Sequence, residues 1–246
     1  MKIDKERLRR AVQKMSGDHP AKKQDLGKQR TPTTQRTPTT QRTPTVPDDV
    51  EEDLKDVVCQ EVLDDTPEDV LFLDLETTGL RADRSLAAMI GFLYRKGAVL
   101  HLSQWYAGNT ARERFQLERL RETMRHFREI VTYNGDGFDI PFLQKRWQWH
   151  RLATDCPLES NDLLPQIRRR YRSEWPNCRL VTAEERLLGL PRSEDDVPGS
   201  EAPLRFQDLR EGAPLKVIEP IYLHNRQDLI SLTGLRSTLR KKILCS

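Results

Sequence analysis

The sequence predicts an α/β fold in which a mixed central sheet is flanked by helices. Residues 70–75 form an apolar run broken only by Asp74. The run is too short for a typical helix and is therefore predicted to be a buried strand. Two further strand patterns follow it along the chain. Helix and strand patterns then alternate, which is typical of a sheet covered by helices.

The first strand carries two carboxylates on one face. Side chains alternate along a strand, so Asp74 and Glu76 share the face of Phe72. Buried charges of one sign are costly unless they are paired or bind a metal. The pair therefore predicts a cation site, and a strand end with Glu76 solvated is the alternative at this point.

The remaining elements follow from the spacing of apolar residues and from turn signals. Further strands are predicted at residues 87–94, 98–106 and 129–134. Helices are predicted at residues 111–127, 138–150, 179–190 and 215–239. The Arg-Lys-Gly sequence between the second and third strands predicts a hairpin-like turn.

Residues 1–65 are predicted to be a disordered low-complexity tail, and residues 66–246 a folded domain. The tail contains the repeat Arg-Thr-Pro-Thr-Thr-Gln at residues 30–35 and 36–41, which offers almost nothing to bury. Its charge is segregated, with an excess of basic residues before residue 47 and a strongly acidic stretch after it. The basic arm either contacts phosphates or folds back on the acidic stretch.

The composition argues against membrane-spanning, secreted and zinc-binding proteins. No apolar run approaches the length of a membrane span and the first residues do not form a signal peptide. We therefore expect a cytoplasmic location and no membrane partner. The four cysteines lie far apart and no histidine stands at zinc spacing, which disfavours a zinc site.

Two later segments offer further acidic side chains. Asp139 ends the sequence Asn-Gly-Asp-Gly-Phe-Asp, at the start of a predicted helix, where an acidic residue is also favourable for the helix itself. His224 and Asp228 are four residues apart on the last helix and share a face, as an ordinary exposed pair also would.

Taken together, these segments resemble the DEDD superfamily of 3′–5′ exonucleases. The matching sequences are Asp-Leu-Glu-Thr at 74–77, Asn-Gly-Asp-Gly-Phe-Asp at 134–139 and His-Asn-Arg-Gln-Asp at 224–228. Spacer sequences at residues 178–199 are similar to the YprB-like group, which is related to the exonuclease domain of family B DNA polymerases. The resemblance implies a ribonuclease-H-like fold, with three antiparallel strands followed by parallel strands.

The resemblance also implies a two-metal mechanism on single-stranded nucleic acid. Its catalytic carboxylates, which would hold two Mg²⁺ or Mn²⁺ ions, map to Asp74, Glu76, Asp139 and Asp228. Oxygen ligands without cysteine favour these hard cations. His224 stands where part of the superfamily has a tyrosine, so its expected role as general base departs from the family pattern.

Three more residues are expected to bind substrate. Thr77 and Thr78, in the turn beside the metals, are expected to donate hydrogen bonds to the terminal nucleotide, and Asn134 to support the second metal site or the sugar. Two basic and aromatic clusters, at residues 145–151 and 168–172, are candidates for guiding the strand. Burial of the tryptophans in the core is the alternative for the first cluster.

Three other functions stay open from the sequence. They are a structure-specific endonuclease on the same fold, a catalytically inactive nucleic-acid-binding module, and a structural protein tethered by its tail. The sequence does not distinguish DNA from RNA as substrate, and any protein partner is expected to bind through the N-terminal tail.

Overall fold

A computed structural model of the chain describes residues 55–59, 66–156, 158–193 and 196–244, with residues 55–59 and 242–244 described by their backbone only. The described residues form one mixed sheet of six strands in the order β1-β4-β3-β2-β5-β6. The strands are β1 (Lys55–Cys59), β2 (Val70–Thr77), β3 (Ala87–Lys96), β4 (Val99–Tyr106), β5 (Glu129–Thr132) and β6 (Glu159–Asp162). Strands β1 to β4 pair antiparallel, whereas β2–β5 and β5–β6 pair parallel. The predicted α/β class, with antiparallel strands followed by parallel ones, is confirmed.

Helices cover both faces of this sheet. They are α1 (Thr110–Met124), α2 (Asp139–Trp149), α3 (Leu163–Tyr171), α4 (Leu180–Ala183), α5 (Ala202–Arg210) and α6 (Glu219–Leu244). A π-helical turn at Glu184–Leu188 continues α4, and a 3₁₀ turn at Leu215–Ile218 precedes α6. Pro220 explains why α6 begins only at Glu219, because proline fits the first turn of a helix but not its interior. None of the described helices is long and apolar enough to cross a membrane.

The alternation along β2 divides the core into two layers. Val70 and Phe72 face α3, α4 and α6, in a layer that includes Leu229. Leu71 and Leu73 face α1 and α2 on the other side of the sheet. Asp74 and Glu76 continue the series of Val70 and Phe72, so their carboxylates emerge on the α6 face. The alternation of side chains along β2, which the sequence predicts, therefore decides that α6 is the helix that completes the site.

Besides β1, three elements were not predicted from the sequence. Strand β6 reads Glu-Ser-Asn-Asp, which has no apolar pattern, and its residues are held by parallel pairing with β5 at the sheet edge. Helices α3 and α5 carry few apolar residues beyond those that pack on the core, such as Ile167 and Phe206. In each case tertiary contacts, rather than local periodicity, stabilise the element.

The backbone of Lys55–Cys59 pairs antiparallel with β4. This strand lies within the segment that the sequence assigns to the disordered tail, so the sheet extends into that segment. Its backbone hydrogen bonds with the outer edge of β4 account for the ordering of this short stretch. The Arg-Thr-Pro-Thr-Thr-Gln repeats and the rest of residues 1–54 lie outside the described residues.

A buried charge network joins α1, α2 and the start of β3. The Glu113 carboxylate accepts two hydrogen bonds from Arg146, at 2.8 and 2.6 Å, and lies 2.7 Å from His150 Nε2. It also accepts from the backbone N–H of Ala87 at 2.8 Å. Arg146 donates in addition to the carbonyl of Ala82. Arg146, Trp147 and His150 of the first basic and aromatic cluster are therefore buried, as in the core alternative, whereas Trp149 is 53% exposed and Arg151 is also exposed.

We expect Glu113→Ala to lower the free energy of unfolding by about 3–5 kcal/mol, because it leaves the buried Arg146 charge without a counter-ion. Urea denaturation measures the change. Glu118→Ala on the same helix is the control, since Glu118 is half-exposed and, within the described part of the chain, its ion pair is with Arg114. It should cost less than about 1 kcal/mol. Equal losses for the two variants would contradict the structural role of Glu113.

Candidate active site

The predicted carboxylates come together at the carboxyl end of β2. Strands β2 and β5 are parallel, and the pairing stops at Phe72 with Val131, so Asp74 and Glu76 project beyond the end of β5. The turn after β5 carries Asp139 to the same edge of the sheet, and α6 brings Asp228 across it. Each of Glu76, Asp139 and Asp228 is at most 9% exposed.

Burial and mutual repulsion dominate the electrostatics of these groups. Burial raises the pKa of Asp74 well above its usual range, and the charges of Asp228, Glu76 and Asp139 add to this. Burial likewise raises the pKa of Glu76 to about 8, against the opposing charge of His224. Burial raises the pKa of Asp139 to about 7, although the backbone N–H groups of Asp139 and Leu75 stabilise its ionised form. Such a cluster is stabilised by cations.

Asp74 is fixed by a polar relay from α6 and β4. Asn225 Nδ2 donates to Asp74 Oδ2 at 2.7 Å, and Gln104 Nε2 donates to Asn225 Oδ1 at 2.9 Å. Both amide side chains are completely buried. Gly91, the residue of β3 paired with Asp74, makes this possible, because a Cβ atom there would overlap the Asn225 side chain.

Asp139 is held by the end of β2 and by the turn that precedes it. Its Oδ1 accepts from the backbone N–H of Leu75 at 3.1 Å. Asn134 opens the turn in the left-handed region, with φ of 67°, which asparagine tolerates better than most residues. Asp162, at the start of α3, accepts from the backbone N–H groups of Asn134 and Asp136 and so fixes the turn.

Arg192 lies among the carboxylates, a feature that the sequence analysis missed. Its guanidinium donates twice to Glu184, at 2.7 and 2.9 Å, and once to Asp228 Oδ1 at 2.5 Å. A further nitrogen donates to Asp196 at 3.2 Å. Arg192 is thus an internal counter-ion for this side of the site. Arg192 lies in the spacer whose sequence resembles the YprB-like group. That resemblance is the signal in the sequence that could have indicated Arg192.

His224 lies beside this network, at the position predicted from the last helix. Its Nδ1 is 3.0 Å from Asp196 Oδ1 and 2.9 Å from Arg192 Nη1, and only one of these contacts is a hydrogen bond in a given tautomer. Burial lowers the pKa of His224, but the Asp196 hydrogen bond and the Asp228 charge outweigh this and raise it. We therefore assign Nδ1–H as donor to Asp196. The opposite nitrogen, Nε2, lies 3.7 Å from Asp228 Oδ2.

Residues 196–201 pack over the same side of the site. A Cβ atom on Gly199 would lie 3.4 Å from His224 Nε2 and 3.6 Å from Glu76 Oε2. Glycine at this position therefore leaves the space between the imidazole and the Glu76 carboxylate open. Asp196 and Gly199 lie in the spacer of residues 178–199, and the sequence predicts no role for either residue.

The two threonines stabilise the loop beside the site, and their contact with the terminal nucleotide stays a prediction. Thr77 Oγ1 donates to the carbonyl of Gly79, and Thr78 Oγ1 accepts from the backbone N–H of Leu86. The Thr78 backbone N–H also donates to the Leu86 carbonyl. Both side chains therefore close the loop between β2 and β3, and only the Thr78 hydroxyl proton is unengaged by these contacts.

The chemistry of the donor set fits a divalent cation, since it consists of buried carboxylates whose charges repel one another. Among the described residues, however, no three histidine, cysteine or acidic side chains are arranged to hold a metal ion as they stand. Asn225 occupies one oxygen of Asp74 and Arg192 one oxygen of Asp228. Each of these carboxylates keeps its other oxygen for a metal.

A sequence model of the RNase_H superfamily matches residues 71–240, which include all four carboxylates. The chain belongs to the RNase H superfamily. It is 33% identical over 120 residues to the uncharacterized protein YprB of Bacillus subtilis (strain 168), an alignment that covers 47% of this chain and 28% of YprB. The chain thus spans under a third of this relative's length. The resemblance inferred from the sequence, to a ribonuclease-H-like and YprB-like group, is confirmed.

A solved structure agrees on the fold. The family B DNA polymerase of the archaeon Pyrobaculum calidifontis superimposes with a TM-score of 0.58 at 18% identity, covering 70% of this chain and 24% of the polymerase. NrnC of Brucella melitensis bound to pGG superimposes with a TM-score of 0.47 at 18% identity, covering 75% of this chain and 79% of NrnC.

We expect Gly91→Ala to lower the free energy of unfolding by about 1–3 kcal/mol, because the added methyl group displaces the Asn225 side chain. In an Asn225→Ala background, which removes the obstacle, the same change should cost less than half as much. Urea denaturation of the two single variants and the double variant measures the coupling. A cost at Gly91 that is independent of residue 225 would contradict this geometry.

The raised pKa values predict a pH dependence for the metal-free protein. In the folded state Asp74, Glu76 and Asp139 retain protons that the unfolded chain loses near pH 4, so the free energy of unfolding should fall as pH rises from 5 to 8. Glu76→Gln should make this decline shallower, by up to about 1.4 kcal/mol per pH unit. Urea denaturation in the presence of a chelator measures it.

Asp83→Asn is the matched control for the pH experiment. Asp83 is exposed, and its hydrogen bond from Arg81 lowers its pKa, so it is ionised throughout this range. Replacing Asp83 should leave the slope of the free energy of unfolding against pH equal to that of the wild type. A Glu76→Gln slope as steep as that of the control would show that Glu76 does not retain a proton in the folded protein.

Proposed function

We propose that this protein is a metal-dependent 3′–5′ exonuclease that hydrolyses phosphodiester bonds in single-stranded nucleic acid. The observation that carries the proposal is the convergence of four mutually repelling carboxylates at one edge of an RNase H-type sheet, with Asp74 half-buried and Glu76, Asp139 and Asp228 buried. A merely structural acidic cluster would be destabilising at this position, whereas a catalytic one is stabilised when cations bind. The preference for an exonuclease over an endonuclease comes from the order and sequence context of the four carboxylates.

In this proposal Asp74, Glu76, Asp139 and Asp228 would hold two Mg²⁺ or Mn²⁺ ions. Bound ions of this kind lower the pKa of a water molecule and neutralise the charge that develops on the phosphate. Asn225 keeps one Asp74 oxygen in place. Arg192 keeps one Asp228 oxygen in place, so the other is directed toward the site.

His224 is the proposed general base. Asp196 accepts a hydrogen bond from the Nδ1–H group of His224. This leaves Nε2 as the basic nitrogen, on the side of Glu76 and Gly199. Nε2 accepts a proton from the attacking water while the water oxygen bonds to phosphorus. The bond from phosphorus to the 3′ oxygen of the preceding nucleotide breaks, and a proton is returned to that oxygen. The products are a nucleoside 5′-phosphate and a strand shortened by one nucleotide with a free 3′ hydroxyl.

Thr78 and Asn134 are the proposed contacts to the terminal nucleotide. The Thr78 hydroxyl proton is free of the contacts that close the loop, and Asn134 stands at the turn that leads to Asp139. Thr77 acts through the loop backbone, since its hydroxyl donates to Gly79. The cytoplasmic location expected from the sequence is part of the same proposal.

Asp74→Asn should reduce hydrolysis of a 5′-labelled single-stranded oligonucleotide, with Mg²⁺ or Mn²⁺ present, by at least about a hundredfold. The variant keeps the Asn225 contact but loses a charged metal ligand, which removes several kcal/mol of charge stabilisation. Gel analysis of the labelled products measures the rate. Asp83→Asn, an exposed acidic residue in the loop after β2, is the control and should retain the wild-type rate.

The pattern of products separates the rival functions. An exonuclease yields a ladder that shortens from the 3′ end and leaves a circular single strand intact. Cleavage of the circle would identify an endonuclease instead. If the wild type and Asp74→Asn proteins are equally inactive with both metals, on matched DNA and RNA strands, the nuclease proposal is wrong and the inactive binding module is supported.

A further inference from the structure

A basic groove lies next to the candidate active site. Its cavity volume is about 510 Å³, and its lining includes Arg168, Arg172, Arg179 and Trp175. The lining contains no aspartate or glutamate among the described residues. Arg168 and Arg172 come from the second basic and aromatic cluster of the sequence, which neither the fold nor the proposed chemistry explains.

The three arginines are available to a ligand. Each is exposed, and no described residue forms an ion pair or a hydrogen bond with the guanidinium of Arg168, Arg172 or Arg179. This sets them apart from Arg128, Arg146 and Arg192, which are paired with carboxylates. Arg168 lies on α3 and Arg172 caps the C-terminal end of this helix, so the two are about one turn apart, with a rise of about 6 Å, and Arg179 stands at the start of α4.

The groove reaches the site through the turn that carries Asp139. Asn134 lines the groove at one end, and its turn runs directly into α2, which begins at Asp139. Asp162, which fixes this turn, also caps the start of α3, the helix that carries Arg168 and ends at Arg172. The same short segment therefore connects the candidate active site with the positively charged wall.

The two aromatic residues of the groove, Trp175 and Tyr133, are already engaged, and the Tyr133 hydroxyl donates to the carbonyl of Cys178 at 2.8 Å. The Trp175 ring stacks on Tyr171, with ring centroids 4.2 Å apart and planes at 4°, and the Arg186 guanidinium lies 5.8 Å from the Trp175 ring centroid. Trp175 also packs against the core layer beneath α6. It therefore serves as a rigid wall and not as a free platform for stacking a base. The groove offers charge to a ligand more than it offers base contacts.

We propose that this groove binds the sugar-phosphate backbone of a single strand, upstream of the nucleotide whose 3′ end lies among the carboxylates. The inference rests on the proposed nuclease function for the direction of the strand. Arg168, Arg172 and Arg179 each bind a backbone phosphate, and Asn134 marks the passage into the site. Recognition through phosphates does not depend on the bases, so the groove accepts strands of any sequence.

The test compares two triple variants of the full-length protein. R168Q/R172Q/R179Q removes the charges of the groove. R114Q/R119Q/R125Q removes the same charge at and just after α1, on the opposite face of the sheet. The probe is a fluorescein-labelled strand of twelve thymidylates, and binding is measured by fluorescence anisotropy at several salt concentrations, with a chelator present so that no hydrolysis occurs.

We expect the groove variant to bind the probe at least about fivefold more weakly than wild type, and the control variant to bind within about twofold of it. The slope of log affinity against log salt should fall by about 2 for the groove variant, since each phosphate contact to a single strand contributes about 0.7. With Mg²⁺ present, the loss in kcat/KM should be larger for the twelve-nucleotide strand than for a dinucleotide. Urea denaturation confirms that both variants are folded.

Three results would overturn the proposal. They are equal weakening by the two variants, no weakening by either, and displacement of the probe by a dodecamer of glutamate as effective as that by unlabelled strand. Because binding is measured without hydrolysis, failure of the groove is distinguishable from failure of the nuclease. A wild type that binds the probe through the groove but never hydrolyses it refutes only the proposed activity.

Discussion

The structure depends on the placement of four acidic side chains where a parallel strand pair ends. Like charges out of contact with water repel one another strongly, and the surrounding elements are arranged around that cost. Asn225 donates to Asp74, the Leu75 backbone donates to Asp139, and Arg192 pairs with Asp228. These contacts lower the cost of the cluster without removing it, as the raised pKa of Asp74 shows. A site that stays under-compensated in this way is suited to bind cations.

The long final helix joins the two halves of this arrangement. It brings His224, Asn225 and Asp228 to the end of β2 within little more than one turn, and Gly91 allows it to approach the sheet closely. Farther along the helix, Arg236 forms a buried pair with Glu129 of β5. The helix is therefore fixed to the sheet at both ends of its contact, which limits how far the Asp228 carboxylate can move relative to Asp74.

The arginines of the two basic and aromatic clusters differ in burial for a physical reason. In the first, Glu113 supplies a buried carboxylate that neutralises Arg146, so Arg146 can be buried beside Trp147. In the second, the described surroundings of Arg168 and Arg172 supply no such partner, and both side chains remain in solvent. The difference lies in a single acidic residue contributed from a distant helix.

The sequence by itself determined the α/β class, the strand that carries Asp74 and Glu76, and their common face, because these follow from local periodicity. It also determined that Asp139 begins a helix and that His224 and Asp228 share one. Only the tertiary structure decided that these residues meet, that Asn225 and Gly91 position Asp74, and that Arg192 stands among the carboxylates. Contacts between residues far apart in the chain have no local periodicity. For the same reason strand β6, which is polar and held by pairing alone, could not be read from its own residues.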